Sequence, residues 1–112
     1  MGKVNLLVKY CLINNKNEYN IKGILINNKI KFLDNENKMI LDLELDTLKR
    51  ITLNEEILFD FKNKKCFIVD KTSNSKLSFE IEVLSNKKEN NDFYVKYRII
   101  ENEIFEILIR II

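Results

Sequence analysis

The side chains best suited to fixing the polar end of a small molecule are Tyr10, Arg50 and Tyr97. An arginine presents a rigid fork of donors that matches a carboxylate, and a tyrosine hydroxyl can both donate and accept a hydrogen bond. Placed at the mouth of an apolar cavity, such groups would hold the head of an otherwise greasy ligand. Arg98 and Arg110 have the same chemistry, but they share strand parity with Lys96 and Glu106 and are expected to point into solvent. Tyr10 and Tyr97 share parity with apolar neighbours and are expected to point inward, where core packing is the plainer role for both. Arg50 stands at a strand entrance whose parity the sequence leaves open.

Other residues could do chemistry only in company that the chain lacks. It contains no His, which removes imidazole bases and His-based triads, and two Cys, Cys11 and Cys66, too few for a thiolate zinc site. Both thiols are expected to be buried as small hydrophobes. Glu80 and Glu82 lie on an alternating wet face and Glu55-Glu56 in a turn, so these carboxylate pairs read as solvated surface. Asn35-Glu36-Asn37 offers too few acidic oxygens for calcium. The expectation is no catalytic residue, no metal and no cofactor. In Phe61-Lys62-Asn63-Lys64-Lys65-Cys66-Phe67, basic residues sit between aromatics as in single-strand binding barrels. Parity assigns the rings to the core and the lysines to a hairpin tip, and 19 basic against 17 acidic residues leave a net charge of only +2. Nucleic acid is therefore not an expected partner.

The elements that position these residues follow a period of two. Leu77 to Val83 alternates apolar and polar without exception, and Met39 to Leu45, Phe93 to Ile99 and Phe105 to Ile111 alternate in the same way. Further strands are expected at Val4 to Leu12, Tyr19 to Ile26, Lys29 to Leu33, Leu48 to Leu53, Ile57 to Phe61 and Cys66 to Val69. Ala, the best helix former, is absent, while Ile, Phe, Tyr and Val favour strands. Short polar clusters separate the strands, among them Asn27-Asn28, Asn35 to Asn37 and a longer loop from Ser85 to Asp92. Asn tolerates positive φ and can replace Gly in tight hairpins, and so short a link as Asn27-Asn28 joins only antiparallel neighbours. With no Pro to guard an open edge, the sheet is expected to close on itself. The fold class is all-β: one domain over residues 1–112, an antiparallel up-and-down β-barrel of about eight to ten strands.

The hydrophobic fraction of 46% suits a folded domain, and no unbroken apolar run approaches the ~18 residues of a membrane helix. The opening segment is interrupted by Asn5 and Lys9, unlike a signal peptide, and two cysteines do not make a secreted disulfide framework; the expected compartment is the cytosol. Abundant Ile, Asn and Lys, with no Ala, Gln, Pro, His or Trp, indicate an AT-rich genome.

The stretch Thr72 to Val83, followed by Tyr97-Arg98-Ile99-Ile100-Glu101-Asn102-Glu103 and a last apolar strand, resembles the YwiB-like bacterial calycin family. Arg50 and the strand Ile57 to Phe61 fall where that family carries an Arg and a strand ending in Phe. The resemblance implies a small cytosolic calycin-like barrel related in shape to lipocalins and fatty-acid-binding proteins. Ser73-Asn74-Ser75 replaces the family's Pro-Tyr-Gly turn, and Glu101-Asn102-Glu103 its Asn-Gly turn, so the resemblance implies shape rather than a shared site.

Two expectations for function result. The first is capture of a small apolar or amphipathic molecule, with Tyr10, Arg50 and Tyr97 at the barrel mouth. Against a roomy interior stand bulky inward residues such as Phe32, Phe59, Phe61, Phe67, Phe79 and Ile107, which could fill a narrow barrel by themselves. The second is association, as a homodimer or with a partner protein, through apolar residues of outward parity. Ile24, Ile26, Ile40, Leu58, Ile68 and Tyr94 are assigned to that face, with Ile100, Ile104, Leu108 and Ile112 of the last strands as the candidate interface.

Overall fold

A computed structural model of the chain describes residues 4–12, 17–89, 92–99 and 103–111, with side-chain surroundings from Asn20 onward. Ten strands follow one another: β1 (Val4–Leu12), β2 (Asn17–Ile26), β3 (Lys29–Asp34), β4 (Asn37–Asp42), β5 (Thr47–Ile51), β6 (Glu55–Asp60), β7 (Lys65–Asp70), β8 (Lys76–Glu89), β9 (Asp92–Ile99) and β10 (Glu103–Ile111). Each pairs antiparallel with the next, and β1 pairs with β10 from Val8 opposite Ile111 to Leu12 opposite Ile107, which closes the barrel. Closure gives every strand a neighbour on each side, though the ladders are staggered and do not run the full length of each strand.

Period-two patterning produces this wall directly. In β9, Phe93, Val95 and Tyr97 are buried and the residues between them are half-buried; in β3, Ile30 and Phe32 are buried between the exposed Lys29, Lys31 and Leu33. Asparagine does the work of glycine at the turns: Asn27 and Asn28 have φ of 51° and 64° in the two-residue β2–β3 hairpin, and Asn35 and Asn74 are also left-handed. The one glycine among the described residues, Gly23, is instead buried in β2 opposite Phe32, where the missing side chain leaves that ring room. Carboxylates tie other turns. Asp60 accepts from the Asn63 amide at 3.0 Å, and Asp70 accepts from the Thr72 amide at 2.9 Å and the Thr72 hydroxyl at 2.7 Å.

Three expectations need correction. The alternation from Met39 to Leu45 is not one strand: β4 ends at Asp42, whose buried carboxylate accepts the Glu44 and Leu45 amides at 3.0 Å and folds residues 43–46 into a turn. The loop expected from Ser85 is largely strand, because β8 runs on to Glu89 alongside β9. In β7 the parity is reversed. Cys66 is buried and Ile68 packs on the core, while Phe67 faces outward with 38% of its surface exposed. Cys66-Phe67-Ile68-Val69 is apolar throughout, so its own pattern sets no parity; pairing of Cys66 with Phe59 and Phe79 does.

A bulge decides one end of the barrel. The register between β8 and β9 slips between Val83 and Ser85, so that beyond it the exposed Asn86 and Lys88 are the residues opposite buried Val95 and Phe93. Lys88 then crosses to the β4–β5 turn, where its ammonium lies 2.6 Å from Asp46 Oδ1 and donates to the Leu43 carbonyl at 3.0 Å. Phe61 and Phe93 are buried in the interior.

Candidate functional site

The interior is occupied by rings. Tyr97, 4% exposed, lies 5.4 Å from the ring centroids of Phe59, Phe61 and Phe105, and Phe61 lies 6.2 Å from Phe93. Ile30, Met39, Leu41, Leu48, Val95 and Ile109 pack around them. These rings and aliphatic side chains form one continuous hydrophobic core among the described residues.

The candidate ligand residues therefore fall as follows. Tyr97 points inward as its parity requires and takes part in the ring cluster. Arg50 has the parity of buried Leu48 but is exposed, because β5 ends one residue later at Ile51. Tyr10 is opposite Tyr19 and Ile109 in the β1 ladders, and its side chain lies outside the described residues. Arg98 and Arg110 point outward, Arg98 3.6 Å from Glu82 and Arg110 in a two-pronged pair with Asp92 at 2.8 and 3.1 Å. Of the interface residues, Ile104 and Leu108 lie half-buried on the outer wall opposite Arg98 and Tyr94, whereas Ile100 and Ile112 lie outside the described residues. The basic turn keeps Lys62, Lys64 and Lys65 exposed and Phe61 buried.

Among the described residues a concave feature lies on the outside of β2 to β5. A cavity of about 520 Å³ opens there, with Ile24, Leu33, Ile40 and Ile51 as its apolar lining. Lys22, Lys31 and Lys38 stand around it, and no carboxylate lines it. Strand register explains the arrangement. Gly23, Phe32 and Met39 form one inward row, so Lys31 has Ile24 and Ile40 as cross-strand neighbours. Leu33 is opposite Lys38, and Lys22 lies one residue beyond the Gly23–Phe32 pair on the other flank. Ile51 is opposite Lys38 on the far side. Leu33, 54% exposed, is thus the centre of a basic triangle on an apolar floor. Of these residues, Ile24 and Ile40 are recognisable from strand parity as outward apolar positions; the lysines carry no signal until three strands set them side by side.

The ionisable groups outside this cavity have structural explanations. Burial pushes the Cys66 thiol up to about 11, so it is protonated and unreactive at neutral pH. Tyr94 is pushed up to about 12, first by burial and then by Glu106, whose carboxylate accepts its hydroxyl at 2.7 Å. Asp92 is held below the usual carboxylate range by the Arg110 hydrogen bond, and Asp70 by Thr72. Among the described residues no group of His, Cys, Asp and Glu could hold a metal ion, and no helix is long and apolar enough to cross a membrane.

Comparison with protein families, curated proteins and solved structures finds no match.

Proposed function

We propose that the protein is a non-enzymatic binding module that takes a small amphipathic molecule against the outer wall of its barrel. The observation that carries this reading is the position of the cavity: about 520 Å³, within the ordinary range for small-molecule sites, lined by Ile24, Leu33, Ile40 and Ile51 on the outside. On the inner side, where a calycin-like barrel would be expected to hold a guest, the rings of Phe59, Phe61, Phe93, Tyr97 and Phe105 pack against one another. A cytosolic setting belongs to the same reading and accords with Cys66 being a buried free thiol.

Native mass spectrometry of the protein taken directly from cells tests it. A co-purifying adduct of a few hundred daltons that is lost in Leu33→Ser is expected. An adduct that persists in Leu33→Ser and disappears only in core variants would overturn the outer-wall site.

A second reading, association through the outer face, is favoured by one observation. The row Ile40, Lys49, Leu58, Phe67 continues the apolar lining away from the cavity, with Leu58 opposite the exposed Phe67. A homodimer seated on that row would show two subunits in the same spectrum and become monomeric in Phe67→Ser.

A further inference from the structure

We infer that the outer-wall cavity selects an anionic ligand, a single-chain amphiphile carrying a phosphate head; this rests on the cavity being the binding site. Lys22, Lys31 and Lys38 bring three positive charges to one side of the barrel, and none of them belongs to an ion pair formed among the described residues. The three like charges stand diagonally around Leu33, each with apolar cross-strand neighbours rather than another lysine directly opposite, so their mutual repulsion is mild. A bound anion turns that repulsion into attraction. Acidic residues are nearly as numerous as basic ones in the chain, 17 against 19, yet none lines this cavity.

Size and topology choose among anionic occupants. A folded partner needs about 800 Å² and roughly 20 residues on each side of an interface, far more than one cavity supplies. A peptide that adds itself as a strand needs a run of unpaired backbone, and at the cavity β3 is paired with β4 along its whole length and with β2 as far as Phe32, leaving only Leu33 and Asp34 without a β2 partner. A flat acidic membrane does not fill a concave site. A small molecule does, with its chain laid along Ile24, Ile40 and Ile51 and its head among the lysines around Leu33. Three ammonium groups exceed the single charge of a carboxylate, whereas a phosphate monoester carries about −1.5 to −2 at neutral pH.

Isothermal titration with dodecyl phosphate below its micelle concentration tests the inference, with dodecyl maltoside, inorganic phosphate and acidic phosphatidylglycerol vesicles as parallel arms. Dodecyl phosphate is expected to bind about tenfold tighter than dodecyl maltoside, the effect of one or two charge-assisted contacts. The preference should vanish in K31Q/K38Q with the thermal midpoint unchanged, and weaken as salt is raised. Equal binding of the two detergents, lost in Leu33→Ser, would leave the site standing and overturn the anion preference. Failure of both detergents to bind would overturn the site itself. Inorganic phosphate binding as tightly as dodecyl phosphate, or binding to vesicles alone, would also overturn the ligand class.

Discussion

Inside the barrel, Phe59, Phe61, Phe93, Tyr97 and Phe105 meet ring against ring; outside, on β2 to β4, Ile24, Leu33 and Ile40 have lysines as cross-strand or near neighbours. Both surfaces come from one two-residue alternation. The inner face gains from every additional methylene, because water is excluded and the gaps are filled. The outer face cannot be filled, so large and charged side chains alternate there and leave a concavity between them. One alternation thus packs rings together on the inner side of the wall and leaves an apolar concavity with a basic rim on the outer side.

The largest expected effect tests the inner half of this contrast. Phe61→Ala removes a ring that touches Phe59, Phe93 and Tyr97, and should lower stability by about 3–5 kcal/mol in urea denaturation. A loss below about 1 kcal/mol would mean that the interior has spare volume, and would return the barrel mouth to consideration as the ligand site.

Next comes alkaline pH, where the two groups with raised values differ in place. In the unfolded chain a thiol ionises near 8.5 and a phenol near 10, whereas in the fold Cys66 waits until about 11 and Tyr94 until about 12. The unfolded chain therefore releases these protons first. Their contribution is whole below the unfolded values and is lost as pH rises through the folded ones. The urea midpoint should fall steadily between pH 9 and pH 12, by the ranges just given. Cys66→Ala should flatten the lower part of that fall and Tyr94→Phe the upper. A decline unchanged in both variants would show that neither group is held as the fold implies.

A smaller effect sharpens the contrast at the barrel end. Lys88→Met keeps an unbranched side chain opposite Phe93 but removes the link to Asp46 and to the Leu43 carbonyl, at an expected cost of about 1 kcal/mol in thermal or urea unfolding. Amide exchange should quicken in residues 43–46 and leave the β8–β9 ladder unchanged. The smallest change is expected at the centre of the outer cavity. Leu33→Ser, at a side chain more than half exposed, should shift stability by no more than about 0.5 kcal/mol. A loss comparable to that of Phe61→Ala would make the outer wall a second core.

Much of the wall could be read from the chain. Phe93, Val95 and Tyr97 are buried, as their alternation requires, and Asn27-Asn28 forms the two-residue hairpin expected of it. What misled the reading was local pattern without local consequence. Met39 to Leu45 alternates beyond Asp42, but a carboxylate that accepts two nearby amides turns the chain there. Ser85 to Glu89 is polar enough to suggest a loop, yet it is strand because β9 supplies its partner. For the site, Ile24 and Ile40 were visible as outward apolar positions, whereas Leu33 with its ring of lysines was not, because lysine occurs along much of the chain.

An all-β, antiparallel chain with tight asparagine turns follows from the amino-acid order alone, since strand period and turn geometry depend on residues close together in the chain. Only the tertiary structure decided which face of β7 is wet, how the slip at Leu84 turns Lys88 across the barrel end, and that Lys22, Lys31 and Lys38 encircle Leu33. These outcomes depend on register between strands, which is set by the pairing of whole ladders, and a shift of one residue sends every side chain to the opposite face.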